Sequence, residues 1–212
     1  MTTGIQESLF DAGPTASSSP TVNALRGRTR RRQLTDGAWL DLRPGWIQNT
    51  SSLFDGLAAG VPWRTERVRM YDSVVAVPRL MRYYAEHEAL PEPLLDAMRD
   101  DLSAHYRDEL PEGFATAGLC LYRDGDDSVA WHGDRIGRGE HSDTLIAIVS
   151  LGAPRTLALR PRGGGPSLRF PLSSGDLLVM GGSCQRTWDH AVPKTRGAGP
   201  RISVQFRPAG VR

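Results

Sequence analysis

After Glu112 the sequence breaks into seven short apolar runs: Gly118–Arg123, Thr144–Leu151, Thr156–Pro161, Ser167–Leu172, Asp176–Met180, His190–Lys194 and Ile202–Arg207. Clusters of Gly, Pro, Ser and Asp separate them, as in Arg162-Gly163-Gly164-Gly165-Pro166 and Ser173-Ser174-Gly175-Asp176. Runs this short read as β-strands joined by turns, because glycine and proline end regular structure. Several such strands at close spacing point to a double-sheet jelly roll. Two earlier segments have helical spacing instead. Ser51 to Ala59 places Leu53, Phe54 and Leu57 behind a Ser or Asn cap. Leu94 to Leu110 carries Leu94, Met98, Leu102 and Tyr106 at every fourth position, after Pro91 and Pro93. The expected fold is α+β and mainly β: a double-stranded β-helix, or jelly roll, with supporting N-terminal helices. Such a fold offers a site between two sheets without dictating a function.

Chemistry-bearing residues lie in the same region. Trp131-His132-Gly133-Asp134 is followed by His190, and then by Arg201-Ile202-Ser203-Val204-Gln205-Phe206-Arg207. Two imidazoles and one carboxylate can occupy one face of an octahedral metal and leave the other positions open, as in non-haem Fe(II) oxygenases. His132 and Asp134 are two apart at an apparent strand end, so their side chains face one way. Arg201 and Arg207 are six apart, and an even spacing on a strand puts both guanidiniums on one face. Such a pair suits a dicarboxylate held by paired hydrogen bonds. A structural zinc or cupin-like site is the other reading of the triad, but it leaves the paired arginines unexplained.

The totals bound the remainder. With 212 residues the chain is long enough for one domain with a sizeable core and a tail. A net charge of +2 favours no class of partner by itself. Cys120 and Cys184 have no paired spacing and read as reduced thiols. Neither a signal peptide nor a membrane-spanning run is evident, so the chain is expected to be soluble, cytoplasmic and monomeric. Residues 1–33 read as a disordered tail and 34–212 as the folded domain. The tail holds the small and polar run Ala12 to Pro20, then five arginines between Arg26 and Arg32 that would attract phosphates. Within it, Gln6-Glu7-Ser8-Leu9-Phe10 resembles the pentapeptide that binds bacterial sliding clamps, with Glu7 departing from the pattern at the second position.

Taken together, Leu121-Tyr122-Arg123-Asp124, Asp127 to Asp134, Gly175-Asp176-Leu177-Leu178-Val179-Met180, His190 and Arg201-x5-Arg207 resemble the AlkB family of Fe(II)- and 2-oxoglutarate-dependent dioxygenases, over about Val77 to Pro208. Val77-Pro78-Arg79-Leu80 with Tyr83-Tyr84 is similar to that family's nucleotide-recognition segment. The resemblance implies that His132, Asp134 and His190 hold Fe(II). It implies that Arg201 pairs with the distal carboxylate of 2-oxoglutarate, that Tyr122 hydrogen-bonds the same co-substrate, and that Arg207 lies near the metal-bound carboxylate. It further implies that Arg79, Tyr83, Tyr84 and Arg135 meet the substrate and that O2 takes the remaining metal position. Cys120 and Ser203 both stand where the family has Asn, and Ala85 where it has Gly. Arg135 and Ile136 stand where base-repairing members carry an acid, and an arginine cannot accept a hydrogen bond from an exocyclic amine.

The reaction implied is oxidative demethylation of N-alkylated bases in DNA, or RNA, releasing formaldehyde, succinate and CO2, and so DNA repair. A base in a duplex must leave the stack to be reached. Arg64, Arg67, Arg69, Arg79 and Arg82 would suit phosphates. Two alternatives remain open at this point: a dioxygenase of the same fold acting on RNA, protein or a small molecule, and a non-catalytic metal-binding nucleic-acid or clamp adaptor.

Overall fold

A computed structural model describes residues 19–70, 73–134 and 138–211. Among them the chain forms, in order, β1 (Thr21–Val22), β2 (Arg30–Gln33), β3 (Ala38–Arg43), β4 (Ile47–Gln48), α1 (Ser51–Gly60), β5 (Arg64–Met70), β6 (Ser73–Tyr84), α2 (Pro93–His105), β7 (Thr116–Tyr122), β8 (Val129–His132), β9 (Ile146–Gly152), β10 (Arg155–Pro161), β11 (Leu168–Leu172), β12 (Leu177–Gly182), α3 (Cys184–Thr187), β13 (Trp188–Val192) and β14 (Arg201–Arg207). Eight strands make a major sheet in the order β2-β3-β12-β9-β14-β7-β6-β5, and four make a minor sheet in the order β11-β10-β13-β8. The pairings within both are antiparallel. The mainly β jelly roll expected from the turn spacing is what the chain adopts.

The central strands of the major sheet are buried on both faces, which is why β9 and β12 read as nearly continuous apolar runs, while β14 alternates and turns its polar residues to one face. Leu119, Ala147, Val149, Leu177, Val179, Ile202, Val204 and Phe206 point to one side and pack with Leu53, Leu57, Leu95, Met98 and Leu102 of the helices. Cys120, Tyr122, Ile146, Ile148, Leu178 and Met180 point to the other and pack with Leu157, Leu159, Phe170 and Leu172 of the minor sheet. Successive side chains on a strand face opposite ways, so one strand serves both layers. The functional residues fall in the layer between the sheets.

The helices need two adjustments. The residue capping α1 is Thr50, not a Ser or Asn, and no side-chain cap is formed; the Thr50 hydroxyl lies 2.7 Å from Ser174 Oγ instead. On α2, Met98, Leu102 and Tyr106 are buried as the periodicity predicts, but Leu95 takes the inner place expected for Leu94. Truncating a buried side chain such as Met98 to alanine typically costs about 2–5 kcal/mol.

The boundary expected at residue 33 moves toward the N-terminus. Arg30–Gln33 pairs with β3 as the edge strand of the major sheet. Arg31 makes two 2.8 Å hydrogen bonds to the carboxylate of the buried Asp41, and its guanidinium lies 3.6 Å from the Trp39 ring centroid. Tyr106 donates a further bond of 3.0 Å to Asp41. A buried carboxylate needs partners, and Arg31 and Tyr106 provide them. Arg30, Arg31 and Arg32 of the expected basic run therefore belong to the fold. Residues 6–10 lie outside the described residues. So do the side chains of Arg67 and Arg69.

Candidate metal and co-substrate site

The minor sheet brings two distant histidines together. His132 ends the edge strand β8, and His190 sits on its neighbour β13; the two are direct cross-strand partners. Their rings lie 4.3 Å apart, centroid to centroid. Asp134 follows two residues after the strand end, where its backbone N–H donates to Gln185 Oε1 at 3.0 Å. The ligand atoms of His132, Asp134 and His190 all lie within 4.8 Å of one another.

The tautomer of His132 and the charge states of His190 and Asp134 suit metal binding. His132 Nδ1 is 2.9 Å from the Ala130 carbonyl, which as acceptor fixes the proton on Nδ1 and frees Nε2 as a ligand. Burial, reinforced by the neighbouring His132, pushes His190 down to about 3, so its imidazole stays neutral. Burial alone would raise the Asp134 carboxyl, but Arg207 and His132 outweigh it and hold it well below the usual carboxylate range. Arg207 reaches Asp134 Oδ2 through Nε at 3.2 Å and Nη2 at 2.9 Å.

On β14 the side chains of Arg201, Ser203, Gln205 and Arg207 share the face toward this site, and all four line a cavity of about 70 Å³ with the triad. Arg201 is buried, and its Nε donates to Ser150 Oγ at 2.8 Å. Its Nη1 has no partner among the described residues. An unpaired buried donor is costly, and more so on a charged group, so a carboxylate of a ligand fits there. Tyr122, the cross-strand partner of Arg201, has its ring centroid 5.1 Å from the guanidinium. Burial and Cys120, against the pull of Arg201, push its phenol up to about 12, so it remains an O–H donor. The donor set therefore fits 2-oxoglutarate: a buried guanidinium with a free N–H, a neutral phenol beside it, and a metal triad at the far end of the cavity.

Gln205 went unnoticed in the sequence, although it shares the even spacing of Arg201, Ser203 and Arg207. Its Nε2 donates to Ser203 Oγ at 2.8 Å, and Cys120 Sγ lies 3.8 Å from its Oε1. Gly118 makes room for it: a Cβ there would stand 2.8 Å from Arg207 Nη1 and 3.1 Å from Gln205 Oε1.

The expected substrate residues divide. Arg79 lines the metal cavity, with its buried Nε unpartnered. Tyr83 is half-buried on the same β6 face as Arg79 and Met81, opposite Gly118 in register. Tyr84 is a correction: alternation turns it to the helical side, where it is buried in the core and covered by Arg82 at 4.5 Å. Arg135 and Ile136 lie outside the described residues.

Comparison with known proteins agrees with this geometry. The family model described as "2OG-Fe(II) oxygenase superfamily" matches residues 48–207. The chain belongs to this superfamily. It is 30% identical over 188 residues to "Alpha-ketoglutarate-dependent dioxygenase alkB homolog 3" of Bos taurus, covering 78% of this chain and 64% of that protein. It is 28% identical over 199 residues to "DNA oxidative demethylase ALKBH2" of Arabidopsis thaliana, covering 76% of this chain and 62% of that protein. The chain thus spans somewhat less than two thirds of the length of these relatives. A crystal structure of a 2OG-Fe(II) oxygenase family oxidoreductase from Burkholderia pseudomallei shares the fold, with a TM-score of 0.56 at 13% identity, over 79% of this chain and 84% of that one. The AlkB-type resemblance stands, and the superfamily's cofactors are Fe(II), 2-oxoglutarate and O2.

Proposed function

We propose that this member of the 2OG-Fe(II) oxygenase superfamily demethylates N-alkylated bases in DNA. The observation that carries the reading is the position of His132. It lines the co-substrate cavity on one side and the adjoining groove on the other, so a group held in the groove can reach the metal position. Relatives named as DNA oxidative demethylases support the substrate class.

Fe(II), 2-oxoglutarate and O2 would together supply oxidation of a methyl carbon bound to nitrogen, with succinate, CO2 and formaldehyde as the products. The chain's own residues supply position. His132, Asp134 and His190 would hold the metal from one side and leave the remaining positions open. Arg201 and Tyr122 would orient the co-substrate through its distal carboxylate. Arg207 holds Asp134 by two hydrogen bonds and fixes that carboxylate before the metal arrives. Ile146, Ile148 and Leu157 form apolar walls of the co-substrate cavity. The Gln6–Phe10 segment would tether the protein to a sliding clamp, which loss of clamp binding on changing Leu9 and Phe10 to alanine tests.

The deciding assay measures succinate and formaldehyde from single-stranded DNA bearing 1-methyladenine or 3-methylcytosine, with Fe(II), 2-oxoglutarate and ascorbate, beside His132→Ala. Formaldehyde that depends on both the DNA and His132 is expected. Succinate without formaldehyde would move the substrate to RNA, protein or a small molecule. Neither product from metal-loaded protein would refute the enzyme reading and favour an adaptor.

A further inference from the structure

The open groove beside the metal cavity has a volume of about 580 Å³. Arg79, Val129, His132 and Val192 line both spaces, so the groove continues the cavity around the free edge of β8. Its floor includes Ala158 and Ala191, cross-strand partners on the outer face of the minor sheet, with Arg169 paired to Ala158 from the other side.

Two features set this groove apart. Trp131, at 37% exposure, is the exposed large hydrophobic residue among the described residues. It projects beside the groove under the Arg160 guanidinium, 4.4 Å from its ring centroid. An indole partly exposed at the rim of a groove offers a base a surface to stack on. The charge is also one-sided. Arg79, Arg169 and Lys194 line the groove, and among the described residues no carboxylate does. The exposed side chain of Arg169 makes no ion pair or hydrogen bond among the described residues. Lys194 has only the distant Asp126, at 4.0 Å and well exposed. An aromatic surface beside these cations matches a nucleobase and its phosphates, because stacking is indifferent to base identity and cations track the backbone.

We infer that this groove is a second nucleotide subsite, in which a base neighbouring the reacting one stacks on Trp131 while Arg169 and Lys194 hold the adjoining phosphates of a single strand. The inference rests on the nucleic-acid reading of the same site and extends it to sequence-independent grip on the flanking strand. Two strands would not fit as well, because a base must be unstacked to lie flat on the Trp131 ring.

The test uses the full chain and an unmodified, fluorescein-labelled oligothymidylate, which offers no methyl group to oxidise. Anisotropy gives Kd at several salt concentrations for wild type, Trp131→Ala and the double variant Arg169→Ala/Lys194→Ala. Trp131→Ala is expected to weaken binding about tenfold. Each lost cation is expected to lower the log–log salt slope by about 0.7. Melting temperatures of the variants serve as the check on folding, and Trp131→Phe should restore most of the affinity. Wild-type affinity in both variants would overturn the inference, as would equal binding of a duplex of the same length. Failure of the wild type to bind the oligothymidylate would also overturn it, while formaldehyde release from methylated strands in the assay above would leave the demethylase reading standing.

Discussion

Replacing Arg201 by lysine isolates what the guanidinium contributes beyond its charge. Arg201 is buried, spends Nε on Ser150 Oγ at 2.8 Å, and keeps Nη1 unpartnered in the co-substrate cavity. A lysine preserves the positive charge but presents a point donor, so it cannot serve Ser150 and a carboxylate together in the same geometry. One charge-assisted hydrogen bond is then lost, worth about 1.5–3 kcal/mol. At 1.4 kcal/mol per decade this weakens 2-oxoglutarate binding about tenfold to a hundredfold. The assay is succinate release against 2-oxoglutarate concentration, with the melting temperature of the unliganded variant recorded beside it. KM for 2-oxoglutarate should rise by that factor, while kcat at saturation changes little, since the guanidinium lies away from the reacting methyl. An unchanged KM in a folded Arg201→Lys protein would refute the assignment of Nη1 to the distal carboxylate.

Three further outcomes are expected. Gln205→Ala removes a neutral 2.8 Å bond to Ser203 and the acceptor facing Arg207; KM for 2-oxoglutarate should rise about two- to tenfold, and a wild-type KM would remove Gln205 from the site. Tyr106→Phe deletes the 3.0 Å bond to buried Asp41 and should lower unfolding stability by about 1–2 kcal/mol in urea; no loss would show that Arg31 alone satisfies the carboxylate. Asp127 is held below the usual carboxylate value, first by its hydrogen bonds from Arg123 and against the opposing effect of burial. A lowered folded pKa stabilises the fold above the unfolded value of about 3.9 and loses that contribution as pH falls through the folded value. Asp127→Asn should therefore narrow the stability gap between pH 7 and pH 3, and an unaltered gap would contradict the shift.

Parts of the fold were legible because they are buried on two sides. Val149, Leu151 and Val179 belong to strands with almost no polar alternation, and such runs between turn residues stand out in any sequence. Arg30–Gln33 did not, because an edge strand made of RRRQ carries no apolar pattern; it is held by ladder bonds and by Asp41, ten residues away from Arg31. The triad was legible through the short spacing of His132 and Asp134, whereas the cross-strand pairing of His132 with His190 is a matter of register. Tyr83 and Tyr84 show the same limit: adjacent aromatics on a strand must diverge, and the sequence does not say which one turns toward the core.

Cys120 and Ser203 stand beside an amide on the same face, and polar capacity there is a property of a face rather than of one position. Ser203 faces Ser150 and Cys120 across its two neighbouring strands. All three are small, and none carries an amide. Gln205, one pleat along the same face, reaches back to Ser203 Oγ at 2.8 Å and offers its carbonyl toward Arg207 at 3.5 Å. That reach needs space at the cross-strand position, and Gly118 provides it by having no Cβ. A longer residue at 203 or 120 would compete for the volume that the Gln205 amide occupies. The small residues at 120 and 203, the glycine at 118 and the amide at 205 are thus one arrangement, in which the amide at 205 supplies the hydrogen-bonding capacity of that face.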